Sequence, residues 1–230
     1  MNSRSEALPP NERTLTLRDE RKLRTRQALL DAALTLMGQG RSLAGISLRE
    51  VAREAGVVPT AFYRHFRDMD GLGLALVDDV CLTLRKLMRE ARVAAQGARD
   101  VAIQTSVQGF VGYVLANDRA FEFLTRERFG GRPAVRQAIA REIRYFVAEL
   151  ANDVRVVPPF AAMPSDDLEM IADLVVHTVL NLSADLLELP SGQRVREHEL
   201  TARTIKQLRL IFLGAAQWRS DRGAVPLGPI

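Results

Sequence analysis

The segment from residue 47 to residue 66 limits the possible folds more than any other. It opens with Ser47-Leu48-Arg49-Glu50, in which a serine hydroxyl and a glutamate carboxylate three residues on can satisfy the free amide donors of a helix start. Leu48, Val51, Ala52 and Ala55 recur at i, i+3, i+4 and i+7, the spacing of one buried helical face. Gly56 can end that helix in a left-handed conformation, and Pro59 can begin the next where a missing N–H costs nothing. On the second helix Phe62 and Phe66, four apart, turn inward and leave Pro59, Thr60, Tyr63 and Arg64 outward. Two short helices about a glycine turn have the dimensions of a helix-turn-helix.

The rest of the chain is helical by pattern too, because no stretch sustains the period-two alternation of a strand bounded by hairpin turns. The expected fold is all-α, with about nine helices. Helix 1 is predicted at 19–37, with Leu23, Leu30, Leu34 and Met37 on one stripe, and a long helix from residue 68 past Met88 links the two halves. Further helices are predicted at 100–116, 119–128, 133–156, 166–189 and 194–218. Breaks are expected at Gly97, Asn117-Asp118, Gly130-Gly131, Pro158-Pro159 and Pro190-Ser191-Gly192. Residues 1–18 and 220–230 carry Pro, Gly and polar residues without a period and are expected to be loose.

Charge is unevenly spread. Residues 13–67 hold eleven basic and five acidic side chains, a balance of +6 in a chain whose total is +4, so the remainder is slightly acidic. This is the asymmetry of one part meeting phosphates and another not, although a charged face can also be merely solvated. The second helix of the motif carries chemistry suited to a major groove. Arg64 can grip a guanine, Thr60 and Ala61 can touch thymine methyls, and Tyr63 and His65 can donate to phosphate.

Residues 25–74, with Phe62-Tyr63-Arg64-His65-Phe66 closing the third helix, resemble the DNA-binding domain of the tetracycline-repressor (TetR) family. Residues 47–56 and 59–68 are similar to those of the FabR and DesT repressors of unsaturated fatty acid synthesis, and the similarity continues through 124–128 and 141–151. The resemblance implies that Arg49, Pro59, Thr60, Ala61 and Arg64 approach base edges and that Thr25, Tyr63, His65 and Arg67 hold the DNA backbone, and Ser47 is counted with them as a DNA-binding residue. It implies a DNA-binding domain at 19–67, a ligand-binding and dimerisation domain at 68–219, and a homodimer on a palindromic duplex operator. The chain departs from the family at Val58, where a capping Ser or Thr is common, and at Met69, where Lys is common; Arg67 is the candidate replacement phosphate contact.

The second half concentrates bulky apolar groups, among them Phe110, Tyr113, Phe121, Leu124, Phe129, Phe146, Val175 and Val179. These are either plain core or the lining of a ligand tunnel between helices. Arg126, Arg128 and Arg132 lie beside them, either as surface ion pairs or at the mouth of such a tunnel. Apolar chain plus phosphate-bearing carrier suits a long-chain acyl-CoA or acyl carrier protein thioester, and the FabR and DesT resemblance favours that effector. Wide apolar faces, with Leu168, Ile171, Ala172, Val175, Val179, Leu182 and Leu186 on one late helix and Leu200, Leu208, Ile211, Phe212 and Ala215 on the next, are expected at the dimer interface.

Several classes are set aside. One cysteine and three histidines make a metal site unexpected, no cofactor is implied, and the phosphate-loop, Gly-x-Ser-x-Gly and His-Glu-x-x-His signatures of common enzymes are missing. Cys81 is expected in the core, His177 as a hydrogen-bonded core residue and His198 at the surface. No stretch approaches the roughly 18 apolar residues of a membrane span, so a cytoplasmic, membrane-free regulator is expected. A regulator of an efflux or catabolic operon sensing another hydrophobic molecule, or a helical enzyme or adaptor, are the competing readings.

Overall fold

The computed structural model describes residues 17–94, 99–190 and 192–220. Among them every regular element is helical: α1 (Leu17–Met37), α2 (Leu48–Glu54), α3 (Pro59–Phe62), α4 (Met69–Ala94), α5 (Arg99–Ala116), α6 (Asp118–Phe129), α7 (Pro133–Arg155), α8 (Ser165–Leu187) and α9 (Arg194–Gln217), with single 3-10 turns at Leu43–Gly45 and Phe160–Ala162. The expected all-α fold is the one observed. The break at Gly97, residue Ser191, and nearly all of the two ends expected to be loose lie outside the described residues; residues 17 and 18 open α1.

Local chemistry accounts for the motif. The Ser47 hydroxyl accepts from the Glu50 N–H at 3.3 Å while Glu50 Oε2 accepts from the Ser47 N–H at 2.8 Å, closing the capping box. Gly56, at φ +67°, reverses the chain so that its N–H reaches Arg53 O at 3.1 Å and the Val57 N–H reaches Ala52 O at 2.9 Å. That bond pair is a Schellman stop. The α3 helix is shorter than its expected span of 59–66, because regular α geometry ends at Phe62 and residues 63–66 form a tighter turn, with His65 N–H on Phe62 O at 2.9 Å. The chain must leave the axis there, since Asp68 already caps α4 through the Gly71 N–H at 2.8 Å.

Two hydrophobic cores result. One joins α1, α2 and α3 to the start of α4 and to one face each of α6 and α7, around Leu29, Leu43, Val51, Phe62, Leu72, Phe123 and Val135. The other fills the bundle of α4 to α9 around Val107, Phe110, Phe121, Phe160, Leu168 and Phe212. α4 belongs to both and is the structural connector. Met69, which replaces the lysine common in the family, is buried at the start of α4, so this position serves the core rather than the surface.

Four expectations need correction. Leu23 does not join the stripe of α1 but is 54% exposed, because the buried residues of that helix begin only at Leu29, where α2 and α6 pack against it. His177 is not a core residue; its side chain is 40% exposed and its Nδ1 lies 3.0 Å from Asp173 O on its own helix. α8 is long and apolar enough, by length and composition, to cross a membrane, with an 18-residue window of mean hydropathy 1.5, and here it packs against α5, α6, α7 and α9. Given that packing, the apolar residues expected at a dimer interface on α8 and α9 are mostly interior to the chain itself, Leu168, Ile171, Leu182, Leu208 and Phe212 among them. The exposed large apolar side chains of those helices are Met170, Leu174, Val195, Leu210 and Leu213.

Candidate DNA-reading surface and ligand cavity

The outward side of the motif is built from residues that the core cannot use. Phe62 and Phe66 are buried with ring centroids 5.6 Å apart and planes tilted by 56°, and Arg26 of α1 lies 5.6 Å above the Phe66 ring. With the two phenylalanines inward, Arg49, Pro59, Thr60, Tyr63, Arg64 and Arg67 are exposed, and Thr25, Ala61 and His65 are half-buried. Ser47 is exposed, but its hydroxyl is engaged in the cap, and the Thr25 hydroxyl donates to Arg21 O at 2.9 Å. Arg67 extends into solvent with its side chain 95% exposed, and its nearest acid, Asp68, is 3.9 Å away.

Electrostatics on this side favour an anion. Burial, followed by the nearby charges of Lys22, Arg26 and Arg64, pushes the His65 pKa below its ordinary value, so the free protein carries this imidazole neutral at pH 7. Lys22 and Arg26 were not among the candidate residues; their spacing on the exposed first half of α1 was the available sign. Arg41 and the capping bonds hold the Glu50 carboxyl down to about 2, so that acid stays paired and inside the fold of the motif.

The second site is a cavity of about 490 Å³ enclosed by α4, α5, α6, α7 and α8 with part of α9. Its size is that of a small-molecule site. Phe110, Phe121, Leu124, Phe129, Phe146, Val175, Val179 and Arg128 line it. Three candidates do not. Tyr113 turns away to donate its hydroxyl to Val80 O at 3.2 Å, and burial raises its phenol pKa. Arg126 is drawn toward the DNA-reading domain, where Nη1 donates to Met37 O at 3.1 Å, and Arg132 pairs with Asp70 at the start of α4. The anticipated trio of arginines is thus split between two tasks.

Other polar groups occupy the wall instead. Arg89 and Arg92 of α4 line the cavity with Asp153 of α7, which pairs with Arg92. Glu142, 6% exposed, lines it while held 3.1 Å from Arg85. Cys81 also faces the space, and burial with the nearby Glu142 charge pushes its thiol up to about 12, leaving it protonated. At the α6 end Arg128 lies 4.9 Å over the ring of Phe129, which is 79% exposed. Apart from Ser106, Thr125, Asn181 and Ser183 the rest of the lining is apolar, so a ligand there is selected mainly by hydrophobic burial and by a few polar and charged groups.

Comparison with known proteins agrees with this division. Residues 29–76 match the bacterial regulatory proteins of the tetR family, and residues 100–214 match the tetracyclin repressor-like C-terminal domain. Among solved structures, a TetR-family transcriptional regulator from Rhodococcus sp. superposes with a TM-score of 0.63 at 22% identity, over 82% of this chain and 98% of that one. One from Mesorhizobium loti gives 0.64 at 15% identity, over 84% and 98%, and the fatty acid degradation regulator FadR from Bacillus halodurans gives 0.61 at 14%, over 81% and 94%. At these identities the solved structures speak for the fold, and the domain matches speak for the family. The chain, a DNA-binding transcriptional regulator rather than an enzyme, belongs to the TetR family.

Proposed function

We propose that the chain is a homodimeric repressor whose effector is a long-chain acyl thioester, on coenzyme A or acyl carrier protein, and whose targets are genes of unsaturated fatty acid synthesis. The observation that carries the effector reading is the cavity, about 490 Å³ of chiefly apolar wall with Arg89, Arg92 and Arg128 among its lining. Each buried methylene contributes roughly 0.8 kcal/mol, so an acyl chain suits the wall, and arginines suit the phosphates of its carrier. The similarity of residues 47–68, 124–128 and 141–151 to the FabR and DesT repressors supports the choice of pathway.

On the DNA side, Arg49 and Arg64 read base edges and Arg67 meets phosphate, with two recognition helices spaced about 34–36 Å or a multiple of it on a palindrome. The exposed Met170, Leu174, Leu210 and Leu213 on α8 and α9 form the core of the two-fold contact. Native mass spectrometry of the purified dimer, followed by extraction, tests the effector reading. A long-chain acyl species at one per protomer is the expected result. A saturable, tightly held molecule with no acyl chain would instead favour the regulator of an efflux or catabolic operon.

A further inference from the structure

α6 faces both halves of the molecule. Phe121, Leu124 and Arg128 look into the ligand cavity, whereas Phe123 and Glu127, on the adjoining stripe, enter the core region of the DNA-reading domain. Glu127 is 1% exposed. Its Oε1 accepts from the Leu43 N–H at 3.0 Å and its Oε2 from the Arg132 N–H at 3.2 Å. A carboxylate that has lost its water is tolerated only where donors replace it, so these two amides and the segments that carry them are held in register with α6.

The surroundings are shaped around this side chain. Gly131 has φ +61°, and a Cβ there would lie 1.7 Å from Glu127 Oε2, so the turn between α6 and α7 closes only over a bare α-carbon. Leu43 opens the turn that runs directly into the Ser47 cap of α2. The turn is gripped by its backbone at Glu127 and by its side chain at Gly73 of α4, and Arg126 ties the end of α1 to the same stretch of α6.

We propose that Glu127 is a positioning residue that fixes the orientation of the helix-turn-helix through Leu43, as a polar attachment beside the apolar packing of α4, α6 and α7, and that it carries cavity occupancy to the DNA-reading helices; this last step rests on the ligand reading above. Phe123 and Val135 also pack against this core, but apolar contacts can slide, whereas a buried carboxylate bonded to a backbone amide fixes register. In a two-fold dimer that register sets the spacing of the two recognition helices. Glu127 does not read a base, so its loss changes which half-site spacing is accepted and leaves base preference within a half-site as it was.

The test uses the full-length protein and the duplex it selects from random sequence, together with versions of that duplex whose half-sites are moved by one and two base pairs. Wild type should prefer one spacing. Glu127→Ala should lose about tenfold in affinity for that spacing, the weight of a charge-assisted hydrogen bond, while the shifted duplexes change little. Glu127→Gln, isosteric and still able to accept from Leu43, should fall between, and it decides the matter if the alanine variant does not fold by circular dichroism. Single-base changes within a half-site should cost the same in every variant. An unchanged spacing profile in the folded variants, whether or not affinity drops evenly, overturns the proposal. With oleoyl-CoA as probe, the shift it causes in wild-type operator affinity should shrink in Glu127→Gln while its own binding, measured by calorimetry, does not. A full shift in that variant overturns the coupling step, and failure of the probe to bind wild type overturns the acyl reading while the spacing result still judges Glu127.

Discussion

Gly73 sits in α4 where the DNA-reading and ligand-binding halves meet, and replacing it with alanine sets two effects of known size against each other. A methyl there would lie 2.5 Å from Leu43 Cδ2 and 2.6 Å from Val135 Cγ2, well inside van der Waals contact. Alanine in a helix interior gains about 1 kcal/mol over glycine, while forcing a methyl into a filled core costs about 1–3 kcal/mol. Leu43 could swing its terminal methyl, but Val135 is β-branched on a helix and has one strongly preferred rotamer, so the cost should dominate. Gly73→Ala is expected to lower stability by about 1 kcal/mol net, and by no more than about 2 kcal/mol. At about 2–4 °C per kcal/mol for a chain of this length, the melting temperature should fall by several degrees at fixed protein concentration. Removing the obstruction should reverse part of the loss: Gly73→Ala with Val135→Ala should be less destabilising than the two singles added together, by about 1 kcal/mol. A melting temperature that rises in Gly73→Ala, or strictly additive singles, would refute the packing argument.

Three other outcomes follow from the same structure. Arg64→Ala or Arg49→Ala should cost operator binding about 1–3 kcal/mol and relax base preference, whereas Arg67→Ala should weaken all duplexes alike and reduce the salt slope by about one; uniform loss in the first pair would remove their base-reading role. Val58 is the N-cap of α3, 64% exposed and without a side-chain acceptor, so Val58→Thr should stabilise the DNA-free protein by about 1 kcal/mol, and an unchanged melting temperature would deny the cap. For His65, whose folded pKa is lowered, the contribution to stability is full above the ordinary value of 6.5 and declines as pH falls through it. DNA phosphate should raise that pKa again, so operator affinity should increase between pH 7 and pH 6 and His65→Asn should flatten the rise; a wild-type affinity indifferent to pH would exclude the phosphate contact.

The parts legible in the sequence were those decided by near neighbours along the chain. Ser47 with Glu50, Gly56, Pro59 and Pro133 mark helix ends by hydrogen bonds or dihedral limits that reach only a few residues, and the helices fall within two residues of their expected bounds except at α3. Apolar periodicity likewise shows which side of a helix avoids water. It does not show which neighbour that side meets. Arg126, Arg128 and Arg132 look alike in the sequence, yet the turn of α6 sends only Arg128 to the cavity and gives the others to Met37 O and Asp70. The same ambiguity hid Glu127, which between two arginines resembles a solvated charge. Its one local sign was Gly131 four residues on, the bare position that lets the turn close over its carboxylate.

The measurement closest to the central claim is operator binding by the purified protein, titrated with saturated and unsaturated acyl-CoA thioesters of several chain lengths. A ligand moves an equilibrium only by the difference in its binding to the two states, so the account predicts that long chains change operator affinity, that saturated and unsaturated chains do so unequally, and that shortening by several carbons costs several kcal/mol at roughly 0.8 kcal/mol per methylene. Operator affinity indifferent to every thioester, alongside a response to an unrelated hydrophobic molecule, would contradict it.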